Sequence, residues 1–176
     1  DPVQNFPTSA TPINTLYAVA GPNSGKGGYR VNRCTFGNAY DGVSIQQGRS
    51  VVNNNVFGCF RIGLFVDKCR DWVVHNDNMH QVMWDAFNGL AYPQTIDAWV
   101  KSNSIGVDIY SADSFEINGL RLFSRYIGMH FLDSSDVSQS PRNSYGRITN
   151  VDLDSVAYGI HCRSVNNNGG GVKITK

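Results

Sequence analysis

Sliding the chain on itself by about 21 to 22 residues brings six segments into line, and this internal repeat limits the possible folds more than any other feature. Each segment begins with an apolar or β-branched residue: Val31, Val52, Val74, Thr95, Ile117 and Ile148. A second apolar residue follows in each, at Phe36, Phe57, Met79, Val100, Leu122 and Leu153. Further on is a column of Gly42, Gly63, Asp85, Gly106, Gly128 and Gly159, each leading into an apolar-x-apolar triplet. Members of that column are one period apart until the last step, from Gly128 to Gly159, which is longer. That step is a normal repeat plus the polar insertion Ser134 to Arg142, expected to be a loop. Turn formers dominate the third position of the repeats, Arg33, Asn54, Asn76, Asp97, Gly119 and Asn150.

Such a period suits either leucine-rich repeats or stacked short strands, and composition decides between them. Seven Leu cannot build a leucine-rich array, whereas Val, Asn and Gly each occur 18 times. With 9 Ala, 5 Lys and the single Glu116, the good helix formers are scarce, which excludes a helical bundle or coiled coil. Alternation such as Gly42-Val43-Ser44-Ile45 and Gly106-Val107-Asp108-Ile109 describes strands with one buried face. The fold expected is therefore all-β, a parallel β-helix or solenoid of six to seven coils, each of about 21 to 22 residues. Each coil holds three strands and three turns, stacked so that like residues lie in register and Asn forms amide ladders.

Net charge +1 with 41% hydrophobic residues excludes disorder by composition and gives no charge-based reason to expect a nucleic-acid partner. No apolar stretch is long enough for a membrane helix, so membrane insertion is not expected. Cys34, Cys59, Cys69 and Cys162 lack metal-ligand spacing and are expected as free, mostly buried thiols; neither a metal nor a cofactor is expected. Residues 1 to 28 fall outside the repeat and are expected to form a lead-in or cap, ahead of the repeat domain at 29 to 176. Asn166 to Gly171 precedes Val172-Lys173-Ile174, which reads as the opening of a further coil. The chain starting at Asp1 is accordingly expected to be a processed or excised piece, truncated at its C-terminal end.

Side-chain alternation places Val43, Ile45, Leu64, Val66, Val107, Ile109, Met129, Phe131, Ile160 and Cys162 inward, and an outward column at Ser44, Phe65, Phe87, Asp108, His130 and His161. Gln46, Asp67, Tyr110, Leu132 and Arg163 flank that column. Glycine before it has two readings: a strand entered from a tight turn, which is preferred, or a neighbouring column left open to ligand. Asp85 is the one charge in the glycine column. On adjacent coils Asp85 and Asp108 would stand about 8 Å apart from strand rise and spacing combined. That falls within the roughly 6.5 to 9.5 Å of an inverting glycosidase pair. His130 would lie about 5 Å from Asp108 on the next coil, with His161 beyond it. Asp85, Asp108 and His130 are thus the catalytic candidates. Phe65, Phe87, Tyr110, Tyr158, His161 and Arg163 are the substrate-binding candidates, with Trp84, Tyr92 and Trp99 as further rings able to stack on sugars or pack on another subunit. Trp72 and Phe115, two positions before inward Val74 and Ile117, are expected in the core.

The period, the Gly-apolar-x-apolar strand and the Asn-bearing turns (VNNNVF from Val52, VHNDNM from Val74, ITNVDL from Ile148) resemble the right-handed parallel β-helix of the pectate-lyase-like superfamily, most closely its bacteriophage tailspikes, over about Tyr29 to Lys176. The resemblance implies a receptor-binding module that grips, and in some members hydrolyses, a bacterial surface polysaccharide, as a homotrimer on a virion tail or otherwise outside the cell. Enzyme signatures of the superfamily are missing. There is no Asp-Asp dipeptide, no Gly-His-Gly and no Tyr-Gly-x-Asp-Pro-His, and no acidic cluster suited to a lyase calcium site. Two other readings remain beside the tailspike-like module: a secreted monomeric polysaccharide-active enzyme, or a structural spacer.

Overall fold

The structure, a computed structural model, describes residues 18–20, 28–37, 39–80, 94–132, 144–163 and 171–175. Among these residues are sixteen strands and one helix, and every strand pair is parallel. The described residues are mostly strand, all-β, and built on parallel sheets. Ser134 to Arg142, Asp85, Phe87, Trp84, Tyr92, most of the lead-in and Asn166 to Gly170 lie outside the described residues.

The strands fall into three parallel series, two of them joined in one eleven-stranded sheet. The first contains β4 (Asp41–Gly48), the front of β7 (Ile62–His75), β9 (Ile105–Ile109), β12 (Ile127–Phe131) and β15 (Tyr158–Cys162). The second contains β2 (Tyr29–Asn32), β5 (Ser50–Asn53), the back of β7, β10 (Ala112–Asn118), β13 (Ser144–Thr149) and β16 (Val172–Thr175). The third is a separate five-stranded sheet of β3 (Thr35–Gly37), β6 (Val56–Gly58), β8 (Asn78–His80), β11 (Arg121–Phe123) and β14 (Asp152–Asp154). β1 (Val19–Ala20) adds an edge to β4.

Equivalent repeat residues sit side by side. Val43, Leu64, Val107, Met129 and Ile160 form one column, and Phe57, Met79, Leu122 and Leu153 another. With Val31, Val52, Val74, Ile117 and Ile148, most of these residues bury in one core. Trp72 and Phe115 are in it too, their rings stacked at 5.2 Å. Of the ten residues expected inward, Ile160 is only half-buried and Cys162 is exposed, because β15 is the last strand at its end of the sheet and nothing described stacks beyond it. All four cysteines are free, but only Cys59 and Cys69 are buried; Cys34 and Cys162 are exposed.

The turn column lies where the repeat places it. Arg33, Asn54, Asn76 and Asn150 have φ of 56°, 56°, 54° and 51°, and Gly119 has φ of 73°. Asn dominates because its short polar side chain tolerates the left-handed region and can bond locally. Asn150 Nδ2 donates to Asn118 Oδ1 at 2.9 Å, but Asn118 pairs in register with Thr149, so this bond links neighbouring columns and is not a rung of the expected amide ladder. In the neighbouring turn column, buried Asn55 donates through its backbone N to Asp77 Oδ1 at 2.6 Å and through Nδ2 to the Val31 carbonyl at 3.2 Å, locking one turn to its neighbours.

The fourth repeat departs from expectation. Thr95, Asp97 and Val100 belong to the helix α1 (Gln94–Asn103), not to strands and a turn. Ile96 and Val100 make an i,i+4 apolar pair seated on Tyr40 and Phe60, and Asp97 pairs with Lys101 at 2.7 Å. Those spacings fit a helix as well as they fit the repeat, and local helical contacts win. Consequently Val74 pairs directly with Ile117 and Met79 with Leu122, with no strand between them, and in the first series Leu64 pairs with Val107. Among the described residues no helix is long and apolar enough to cross a membrane.

Candidate functional site

The first strand series presents one row away from the core: Ser44, Phe65, Asp108, His130 and His161, in direct lateral register. The register neighbours of Asp108 are therefore Phe65 on one side and His130 on the other, while the expected neighbours Asp85 and Phe87 lie outside the described residues. The spacing argued for that pair rested on an adjacency that the strand pairing replaces. Asp67 now has that diagonal relation. It is two positions beyond Phe65 on the same face, which places its Cα about 8 Å from that of Asp108. From sequence Asp67 fell only in a flanking row, because the repeat inserts an extra coil between the two strands.

The row is less open than alternation alone suggests. Ser44, Asp108 and His130 are buried, while Phe65, Tyr110 and His161 are half-buried. Alternation fixes which face a side chain takes, but parallel neighbours at about 4.8 Å shade one another, and a ring between two others loses most of its contact with water. His130 is such a ring: it stacks on His161 at 5.0 Å and 8° and stands on the other side against Asp108, Nδ1 to Oδ1 3.2 Å. The two atoms are close but not aligned for a hydrogen bond, and among the described residues each lacks a hydrogen-bond partner.

Burial sets the chemistry of this pair. The Asp108 carboxyl is pushed up to about 7, chiefly by desolvation, with Arg61 opposing and Asp41 adding to the rise. His130 is held below its ordinary value by burial, and further by His161 and Arg163. Near neutral pH the pair therefore holds a carboxyl that exchanges a proton beside a neutral imidazole, as general acid–base chemistry needs. Burial first, then Asp108 and Asp67, raises the Tyr110 phenol, consistent with both carboxylates facing it.

Below the row is an ion pair that fixes the local backbone. Arg61 Nε donates to Asp41 Oδ1 at 2.9 Å, a second contact joins Nη2 to Oδ2, and the same carboxylate accepts from Ile62 N at 3.2 Å. The guanidinium also lies over the Tyr40 ring at 5.0 Å. Beyond His161 the rings continue outward. Tyr158 tilts against His161 at 6.2 Å and meets Tyr126 edge-on at 5.3 Å and 90°. On the opposite side Phe65 and Tyr110 are 5.2 Å apart. Arg163 is exposed at the end of this face, and its backbone N donates to the Phe131 carbonyl at 2.8 Å.

Of the candidates read from sequence, the structure brings together Asp108, His130, His161 and Tyr158 as one connected cluster, with Phe65 and Tyr110 beside it and Arg163 at its rim. Tyr126 was missed, since it precedes the strand and the alternation argument began inside it. No group of three His, Cys, Asp or Glu able to hold a metal ion occurs among the described residues. In comparisons with known proteins the chain matches no family model, no curated protein and no solved structure.

Proposed function

We propose that the chain is a right-handed parallel β-helix whose first strand series binds a cell-surface polysaccharide, as a tailspike-like receptor-binding module. The observation that supports it is the ribbon of rings, Phe65 and Tyr110 on one side and His161, Tyr158 and Tyr126 on the other, around the polar Asp108–His130 pair. Sugars are amphipathic, with C–H faces that stack on rings and hydroxyls that seek polar partners, and this ribbon offers both. A homotrimer and a place on a virion tail or outside the cell follow from the resemblance and belong to the same proposal.

Hydrolysis is the second reading, favoured by one observation: the Asp108 carboxyl titrates near 7 with Asp67 diagonal to it. In it Asp108 is the acid, Asp67 the base acting on water, and His130 sets the proton affinity of Asp108. A glycan array probed with the protein, followed by sedimentation, tests the proposal. Retention of at least one bacterial surface polysaccharide and a trimeric mass are expected. Failure to retain any glycan would overturn it, and release of shortened chains from a retained glycan would establish the hydrolytic reading.

A further inference from the structure

Tyr158 is the outermost ring of an unbroken series. It is 54% exposed, whereas Tyr126 and His161 beneath it are half-buried and His130 is buried. Tyr126 is held from two sides. Its backbone N donates to the hydroxyl of Ser104 at 3.3 Å, and its carbonyl accepts from Tyr158 N at 2.9 Å. Ser104 is fully buried and directly follows α1, so the helix insertion fixes the position of this tyrosine. The two phenols meet at 90°, presenting the face of one ring and the edge of the other to whatever lies between them. Phe65 and Tyr110 occupy the other side of Asp108.

The geometry points to Tyr126, Tyr158 and His161 as a sugar-stacking subsite, so that a polysaccharide lies across the strands as an internal stretch of chain held on both sides of Asp108. The inference rests on the polysaccharide-binding reading and deepens it by naming how the polymer is presented. From Phe65 through Asp108 and His130 to His161 is three strand steps, about 15 Å, several times the length of one sugar ring. A site that binds a chain end needs one wall closing it. This one has ring clusters at both sides of its polar centre.

The test uses calorimetric titration of the wild-type protein, Tyr126→Ala, Tyr158→Ala and Tyr158→Phe with the array glycan that the wild type retains, supplied as free oligosaccharides of increasing length. Affinity should climb with length well past a disaccharide. Each alanine variant should lose roughly five- to tenfold with the longest oligosaccharide, the size of a removed ring contact, and Tyr158→Phe should stay within about twofold. Equal affinity of Tyr158→Ala and wild type for the longest oligosaccharide would overturn the inference while leaving the polysaccharide reading intact. So would affinity that saturates at a disaccharide. A drop in the sedimenting mass of Tyr158→Ala would overturn it as well, by making the rings a contact between copies. If the wild type retains no glycan, both readings fail together.

Discussion

Gly106→Ala is expected to cost about 3 kcal/mol or more of folding stability, read as a fall in the urea midpoint, while Gly159→Ala costs less than about 1 kcal/mol. A Cβ on Gly106 would stand 2.7 Å from the Gly128 carbonyl oxygen and still closer to Leu122 Cδ2. The carbonyl belongs to the neighbouring strand, so relief requires parting two hydrogen-bonded strands and not merely turning a side chain. Gly63 and Gly128 face the same obstacle, at 2.8 Å and 2.6 Å from the next glycine's carbonyl oxygen. Gly159 is the last of the column among the described residues, where a Cβ would meet Leu153 Cδ1 at 3.2 Å and no described carbonyl, and provides the control. Equal costs at Gly106 and Gly159 would show that the glycines are not there for strand stacking. The tight-turn and open-column explanations both give way to this one: none of the described glycines in the column has a positive φ, and at Gly42, Gly63, Gly106 and Gly128 a hydrogen stands where there is no room for a side chain.

Arg125→Ala is expected to lower stability by about 3–5 kcal/mol, against less than about 1 kcal/mol for Arg121→Ala. Arg125 is 1% exposed, and its guanidinium donates to the carbonyls of Cys59 at 2.7 Å and Phe57 at 3.4 Å. Phe57 neighbours Met79, which neighbours Leu122, so Arg125 reaches past a whole strand layer to bind carbonyls two layers away. Truncation would leave a cavity and two buried acceptors without their donor. Arg121, in contrast, makes an exposed 3.2 Å pair with Asp152 that solvent can replace. Burial depresses the Arg125 guanidinium to about 10 and pushes the Cys59 thiol up to about 12, so Cys59 offers little thiolate near neutral pH. Denaturant midpoints for the two variants decide the matter, and an Arg125→Ala loss no larger than that of Arg121→Ala would contradict it.

The parts of the fold that were legible in the sequence are those where one residue type serves one role. Val52, Val74 and Ile117 could be placed in the core from the period alone, and Asn54, Asn76 and Asn150 in left-handed turns, because few residues tolerate that backbone. The fourth repeat was not legible. Thr95 and Val100 satisfy the spacing of the repeat while Ile96 and Val100 satisfy that of a helix, and nothing local chooses between them. That ambiguity hid the direct pairing of Val74 with Ile117, and with the first series paired in the same way the register neighbour of Asp108 is Phe65 and its diagonal neighbour Asp67, since a strand register propagates to every neighbour. Burial of Asp108 and His130 was also illegible: direction follows from alternation, but shading depends on which rings stack beside them.

The most direct test of the central claim, that the face bearing Asp108 is the polysaccharide-binding face, is amide chemical-shift mapping with the retained array glycan. Shifts should concentrate at Phe65 to Asp67, Asp108 to Tyr110, His130 to Leu132 and Tyr158 to Arg163, crossing the strands in a single band. Shifts confined to Val51, Val73, Glu116 and Arg147 on the second strand series, with the first unchanged, would contradict it.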